Sequence, residues 1–107
     1  MAFVQVATLH DVPPGRSKEV MVGSERILVC NVEGKLFAIG DVCTHDNGPL
    51  GQGTLTGAEI ECPRHGARFD VNTGRAVCLP AIMPVPTYDV KVEGVNILVA
   101  DTAKAQR

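Results

Sequence analysis

The sequence predicts an all-β protein, a small sandwich or barrel-like stack of antiparallel sheets. Three observations carry that reading. Apolar residues come in short runs, and no segment sustains the 3.6-residue period of an amphipathic helix. Eleven glycines and seven prolines punctuate the 107 residues, so turn residues recur every ten residues or so. Two pairs of apolar runs also meet across short glycine-bearing connections, the pattern of β-hairpins.

Taken in order, "FVQVATL" near the start and "SKEVMV" at 17 to 22 read as strands on weaker patterns. "ERILVCNV" and "KLFAIGD" flank "EGK" and predict the first hairpin. Residues 41 to 70 then change character. "DNGPLGQGTLTG" has too few apolar residues for a core strand, whereas "AEIE" supplies one short strand before Cys62. This stretch is expected to be an insertion of two loops joined by a hairpin. "CLPAIMPVP" carries three prolines, which suits a stiff loop rather than a strand. "TYDVKV" and "NILVA" flank "EGV" as a second hairpin. In its first arm Tyr88, Val90 and Val92 alternate with Thr87, Asp89 and Lys91, the period of a half-buried strand. The chain is expected to be one domain over 1–107, with a site-bearing subdomain at about 41–70 and a flexible tail over 101–107.

Composition excludes several function classes. A chain of 107 residues has no room for a nucleotide-binding domain beside a catalytic one. No G-x-G-x-x-G follows a strand, so flavin or nicotinamide binding in the Rossmann manner is not expected. A formal net charge of -2 is too slight for a nucleic-acid or membrane-surface binder. No apolar run approaches the ~18 residues of a membrane span. "MAFVQVATLHD" lacks the basic and apolar regions of a signal peptide. A cytoplasmic protein is the expectation, and there cysteines are more often ligands or free thiols than disulfides.

The chemistry concentrates between residues 43 and 65, "CTHDNGPLGQGTLTGAEIECPRH". Two of four cysteines and two of three histidines are spent there. Cys43-x-His45, sixteen residues, then Cys62-x-x-His65 gives two matched pairs of one thiol and one imidazole. Close spacing lets one loop present both members of a pair, and a hairpin between the loops brings the pairs face to face. Sulfur and nitrogen donors disfavour calcium and magnesium, which want oxygen. Zinc or an iron–sulfur cluster with mixed ligands remains. Zinc fingers usually pair Cys with Cys and His with His, so one of each per loop suits a two-iron cluster better.

On "CTH" and "CPRHG" at this separation, with Thr44, Pro63 and Gly66 in place, the chain resembles the Rieske [2Fe–2S] family over nearly its whole length. The resemblance implies the Rieske fold and one [2Fe–2S] cluster. By position Cys43 and Cys62 would hold one iron, and His45 and His65 the other through Nδ1, leaving Nε2 near solvent. Two ferric irons, two sulfides and two thiolates sum to a neutral oxidised cluster. An added electron therefore meets less charge than in an all-cysteine cluster, and the potential is higher. With every coordination place filled, the implied role is electron transfer and not catalysis.

Within that family the sequence departs from the high-potential relatives of respiratory and photosynthetic complexes. Where those carry a loop-to-loop disulfide, this chain has Gly48 and Arg64. Where they place Ser and Tyr hydroxyls against cluster or ligand sulfur, it has Ala67 and Phe69. Fewer hydrogen bonds to sulfur imply a lower potential. The chain thus resembles the low-potential ferredoxins that serve aromatic-ring dioxygenases in aromatic hydrocarbon catabolism. That resemblance implies a monomeric carrier, taking electrons from an NAD(P)H-dependent flavoprotein reductase and passing them to a terminal Rieske oxygenase. The chain is not itself that oxygenase, because a mononuclear iron site needs two further His and only His10 is left. A small subunit of a cytoplasmic nitrite reductase and a structural zinc module stay open as alternatives. Cys30 and Cys78 read as free structural thiols, with a disulfide between them the minor reading, and His10 as a surface residue in a turn. Arg64 and Arg68 read equally as docking charges or solvated bystanders.

Overall fold

The strand at the centre of the fold, β3 (Glu25–Val32), is buried on both faces. The computed structural model describes residues 2 to 104. Side chains of a strand alternate between faces, so Ile27 and Val29 point one way and Leu28 and Cys30 the other. The first pair packs with Val22, Ala38, Tyr88, Ile97 and Val99. The second pair packs with Ile39, Ile60, Phe69 and Val71. A single run of apolar residues therefore joins two cores, and two layers follow from it.

The larger layer is a six-stranded antiparallel sheet built from β1 (Phe3–Thr8), β2 (Ser17–Val22), β3, β4 (Lys35–Gly40), β9 (Thr87–Glu93) and β10 (Asn96–Ala103), in the order β1-β10-β9-β4-β3-β2. Its edge strands β1 and β2 approach each other, which nearly closes the sheet into a barrel. The smaller layer is a four-stranded antiparallel sheet of β5 (Thr54–Thr56), β6 (Glu59–Glu61), β7 (Arg68–Asp70) and β8 (Ala76–Cys78), in sequence order. Phe69 is its main anchor in the shared core, with no exposed surface. Burying a side chain of this size contributes about 1.5–3 kcal/mol.

Both predicted hairpins form. Val32 pairs with Lys35, leaving Glu33 and Gly34 as a two-residue loop with φ of 53° and 92°. Positive φ at both positions is the turn that matches strand twist, and it explains a glycine there. The all-β expectation holds. Among the described residues the one helical element is a single 3-10 turn at Leu9–Asp11, with exposed His10 in it.

Three details correct the sequence reading. "GTLTG" does form a strand, β5, because its hairpin with β6 supplies the ladder that its one apolar residue Leu55 could not signal. The smaller sheet runs on through β7 and β8 to Cys78, past the expected boundary at 70. The tail expected to be flexible over 101–107 is strand as far as Ala103. There Ala103 pairs with Tyr88, the Asp101 amide donates to Ala2 O at 2.9 Å, and the Lys104 amide donates to Thr87 O at 2.7 Å. Residues 105 to 107 of that expectation lie outside the described residues. No helix among the described residues is long and apolar enough to cross a membrane.

Candidate metal centre

Two loops project from the smaller sheet's end of the molecule, and their backbones repeat one design. In the first, which follows β4, the Cys43 amide donates to Gly48 O at 2.7 Å and the Asn47 amide to Cys43 O at 2.6 Å. In the second, between β6 and β7, the Cys62 amide donates to Ala67 O at 2.7 Å and the Gly66 amide to Cys62 O at 3.1 Å. Each loop thus closes from its cysteine to the fifth residue beyond. The fourth residue beyond is left-handed in both, Asn47 at φ 63° and Gly66 at φ 78°. Glycine and asparagine tolerate that conformation best, which accounts for both residues.

The loops are anchored from below. The buried Asp41 carboxylate accepts the Leu50 and Gly51 amides at 2.8 and 2.9 Å, tying off the first loop where it ends. The second loop rides on the β6–β7 hairpin, where Glu61 faces Arg68. The expected proline loop runs beside the site, and the Thr44 hydroxyl donates to Met83 O at 2.6 Å.

This scaffold gathers all four sequence-predicted site residues. Cys43 and Cys62 are buried with their sulfurs within 4.8 Å of each other, and the imidazoles of His45 and His65 are exposed. The two rings lie edge to face, centroids 5.0 Å apart at 83°. Burial is the main cause that pushes the Cys43 thiol up. The donors fall into two groups, a thiol pair inside and an imidazole pair outside, each with Asp46 beside it. Soft sulfur below and borderline nitrogen above fit a group with two unlike metal positions.

Asp46 is the residue that sequence reasoning missed. Its carboxylate receives Arg64 Nε at 2.6 Å and Nη2 at 3.1 Å, and the Gly48 amide at 2.9 Å. The Arg64 guanidinium holds the carboxyl well below the usual carboxylate range. Only its place directly after His45 could have hinted at it. Arg64, read as a docking charge or a solvated bystander, is exposed but held in place, since its Nη1 also donates to Pro49 O at 2.8 Å. Arg68 pairs with Glu61 at 3.3 Å on the exposed face. Cys30 and Cys78 are free thiols. The Cys78 thiol donates to Gly66 O at 3.3 Å, and burial pushes the Cys30 thiol up to about 12.

Comparison with known proteins gives a consistent result. A family model described as the Rieske [2Fe-2S] domain matches residues 2–89. The chain is 38% identical over 97 residues to the ferredoxin component of a naphthalene 1,2-dioxygenase system from Pseudomonas aeruginosa, covering 91% of this chain and 93% of that protein. It is 42% identical over 99 residues to the ferredoxin component of biphenyl 2,3-dioxygenase from Rhodococcus jostii, covering 92% of each. Among solved structures, the ferredoxin of carbazole 1,9a-dioxygenase from Nocardioides aromaticivorans superposes with a TM-score of 0.89 at 39% identity, covering 94% of this chain and 98% of that one. A ferredoxin chain in a complex of reduced oxygenase and oxidized ferredoxin of carbazole 1,9a-dioxygenase gives 0.92 at 34% identity, covering 97% of each. A putative nitrite reductase small subunit gives 0.79 at 16% identity, covering 94% of this chain and 99% of that one, a likeness of fold alone.

Proposed function

Because the chain belongs to the Rieske [2Fe-2S] domain family, we propose that it is the ferredoxin component of an aromatic-ring dioxygenase system, an electron carrier and not an enzyme. Its cofactor is one Rieske cluster with two Cys and two His ligands. In this reading Cys43 and Cys62 hold the inner iron, and His45 and His65 hold the outer one through a ring nitrogen. When bound, the cluster supplies storage for one electron between two stable states.

The chain's own residues do the rest. Burial of Cys43 and Cys62 keeps water from the sulfurs, and exposure of His45 and His65 places the electron's way out at the surface. Leu79, Ile82 and Met83 stand exposed on the proline loop that Thr44 ties to the site. Apolar surface beside the imidazoles suits a protein partner that docks briefly and leaves. The partners in this reading are a terminal oxygenase as acceptor and an NAD(P)H-dependent flavoprotein reductase as donor. The oxygenase is supported by the carbazole dioxygenase complex. The reductase follows from the need for a donor, and a cytoplasmic place and a monomeric carrier belong to the same reading.

The observation that carries the proposal is the buried thiol pair set beneath the exposed imidazole pair, each loop giving one of each. Iron and acid-labile sulfide analysis tests it, with equal amounts expected and an EPR signal that appears on one-electron reduction. A colourless, zinc-loaded protein of native fold would sink it. Reduction by NADH through a flavoprotein reductase, followed by turnover of an aromatic-ring dioxygenase, tests the partners. The nitrite reductase reading has only a likeness of fold behind it.

A further inference from the structure

The two ligand loops are far apart in the chain, yet one side chain spans them. Arg64, in the second loop, places all three of its hydrogen bonds on the first. Nε and Nη2 fork onto the Asp46 carboxylate at 2.6 and 3.1 Å, and Nη1 reaches Pro49 O at 2.8 Å. The guanidinium lies directly against Gly48. A Cβ on Gly48 would meet Arg64 Cζ at 2.5 Å, Nη2 at 2.6 Å and Nε at 2.7 Å. Gly48 does not have a left-handed φ among the described residues, so backbone conformation gives no reason for a glycine there. Room for the guanidinium does.

We propose that Arg64 is a positioning residue that fastens the two ligand loops together, with Gly48 as its socket and Asp46 as its counter-charge. A bidentate guanidinium–carboxylate pair fixes orientation as well as distance. Each loop's own hydrogen bonds set the loop's shape, but they do not set one loop against the other. The fork does so at the loop tips, on the outer side of the site, where Asp46 sits 3.5 Å from His65 Nδ1. The pair is partly exposed, with side chains 32% and 19% accessible, so its worth lies in registering the loops more than in stability at large. The inference rests on the ligand assignment proposed above.

The socket makes the test specific. Arg64→Leu removes the fastener, while Gly48→Ala keeps both charges and only displaces a flexible side chain, so both variants fold. In each, iron release to a chelator from the holoprotein is expected to quicken by about tenfold, the equivalent of one charge-assisted hydrogen bond. In an Arg64→Leu background Gly48→Ala finds nothing to displace, so the double variant is no faster than either single one. The midpoint potential adds a readout that loop rigidity alone does not move. Arg64→Leu leaves Asp46 as an anion without its cation beside His65, which disfavours an added electron and lowers the midpoint. Adding Asp46→Asn restores the midpoint while release stays fast. Wild-type release rates in Gly48→Ala, additive effects in the double variant, or a midpoint that ignores Asp46→Asn would each overturn the proposal. Iron and sulfide content of the wild type checks the ligand assignment separately. Should that assignment fail, hydrogen exchange at the Cys43 and Cys62 amides still decides the fastener, being faster in both single variants if it holds and unchanged if it does not.

Discussion

The thiol of Cys78 donates to the carbonyl of Gly66 across 3.3 Å. A cysteine outside the ligand set therefore supports the left-handed residue on which the second ligand loop turns. Cys78→Ser keeps a donor at that place and is expected to leave the visible spectrum and the release of iron unchanged. Cys78→Ala removes the donor and should quicken release by about two- to threefold, as befits a weak thiol bond. Loss of the cluster in Cys78→Ser would mean that this thiol is a ligand and the assignment is wrong.

Replacing any one of Cys43, Cys62, His45 or His65 by Ala is expected to abolish the cluster. The larger sheet should survive in each variant, because its core of Ile27, Val29, Ala38, Ile97 and Val99 lies on the other face of β3. Iron analysis with circular dichroism separates the two effects. A full complement of iron and sulfide in any of the four variants would remove that residue from the ligand set.

Cys30 gives the stability of the protein an alkaline limit. Its thiol is buried in the core between the layers, and that burial, aided by the Asp41 charge, pushes its pKa from 9.0 up to about 12. An unfolded chain loses this proton at lower pH than the folded one. The contribution to stability is therefore complete below pH 9 and shrinks as pH rises from 9 towards 12. By pH 10 about 1.4 kcal/mol should be gone through this group alone. Denaturant unfolding followed from about one pH unit below the free-thiol value of 9.0 to about two units above it checks the slope. Cys30→Ala should flatten it whatever its own cavity costs, and an equal slope in that variant would show that Cys30 is not the cause.

The hairpins were legible in the sequence because local residues decide them. Glycine in a two-residue turn and period-two alternation on either side need no distant partner. The Cys-His pairs were legible for the same reason, each pair being carried by one short loop. β5, β7 and β8 were not, since each has three residues and takes its strand character from a neighbour's ladder. The end of β10 at Asp101–Ala103 escaped notice because its side chains are exposed and fill no core, and only ladders to distant parts of the chain make it strand. Asp46 and Arg64 lie eighteen positions apart in sequence, and only the closing of two loops against each other makes them partners. Pairings of that kind carry no local pattern.

Reduction potential sets the direction of electron flow, and the structure sharpens what should govern it. Ala67 and Phe69 are both fully buried in the cluster of side chains that contains Cys43 and Cys62. Neither side chain can donate a hydrogen bond, so the sulfurs gain no help from these two side chains in bearing an added negative charge. The midpoint is therefore expected near the bottom of the Rieske range, roughly −150 mV. A carrier at that value can be reduced by NADH through a flavin and can still drive an oxygenase. Ala67→Ser and Phe69→Tyr add one hydroxyl each within the buried cluster of side chains that contains both thiols, where little water competes for a bond to sulfur. Each should raise the midpoint by about 65–130 mV, the value of ~1.5–3 kcal/mol for one electron when a donor faces a charged group. Phe69→Tyr also places an oxygen in a packed core, so its stability should fall even as its potential rises. Protein-film voltammetry on the wild type and both single variants measures the shifts. A wild-type midpoint above zero, or variants that keep their cluster and show no rise, would refute this account of how the potential is set.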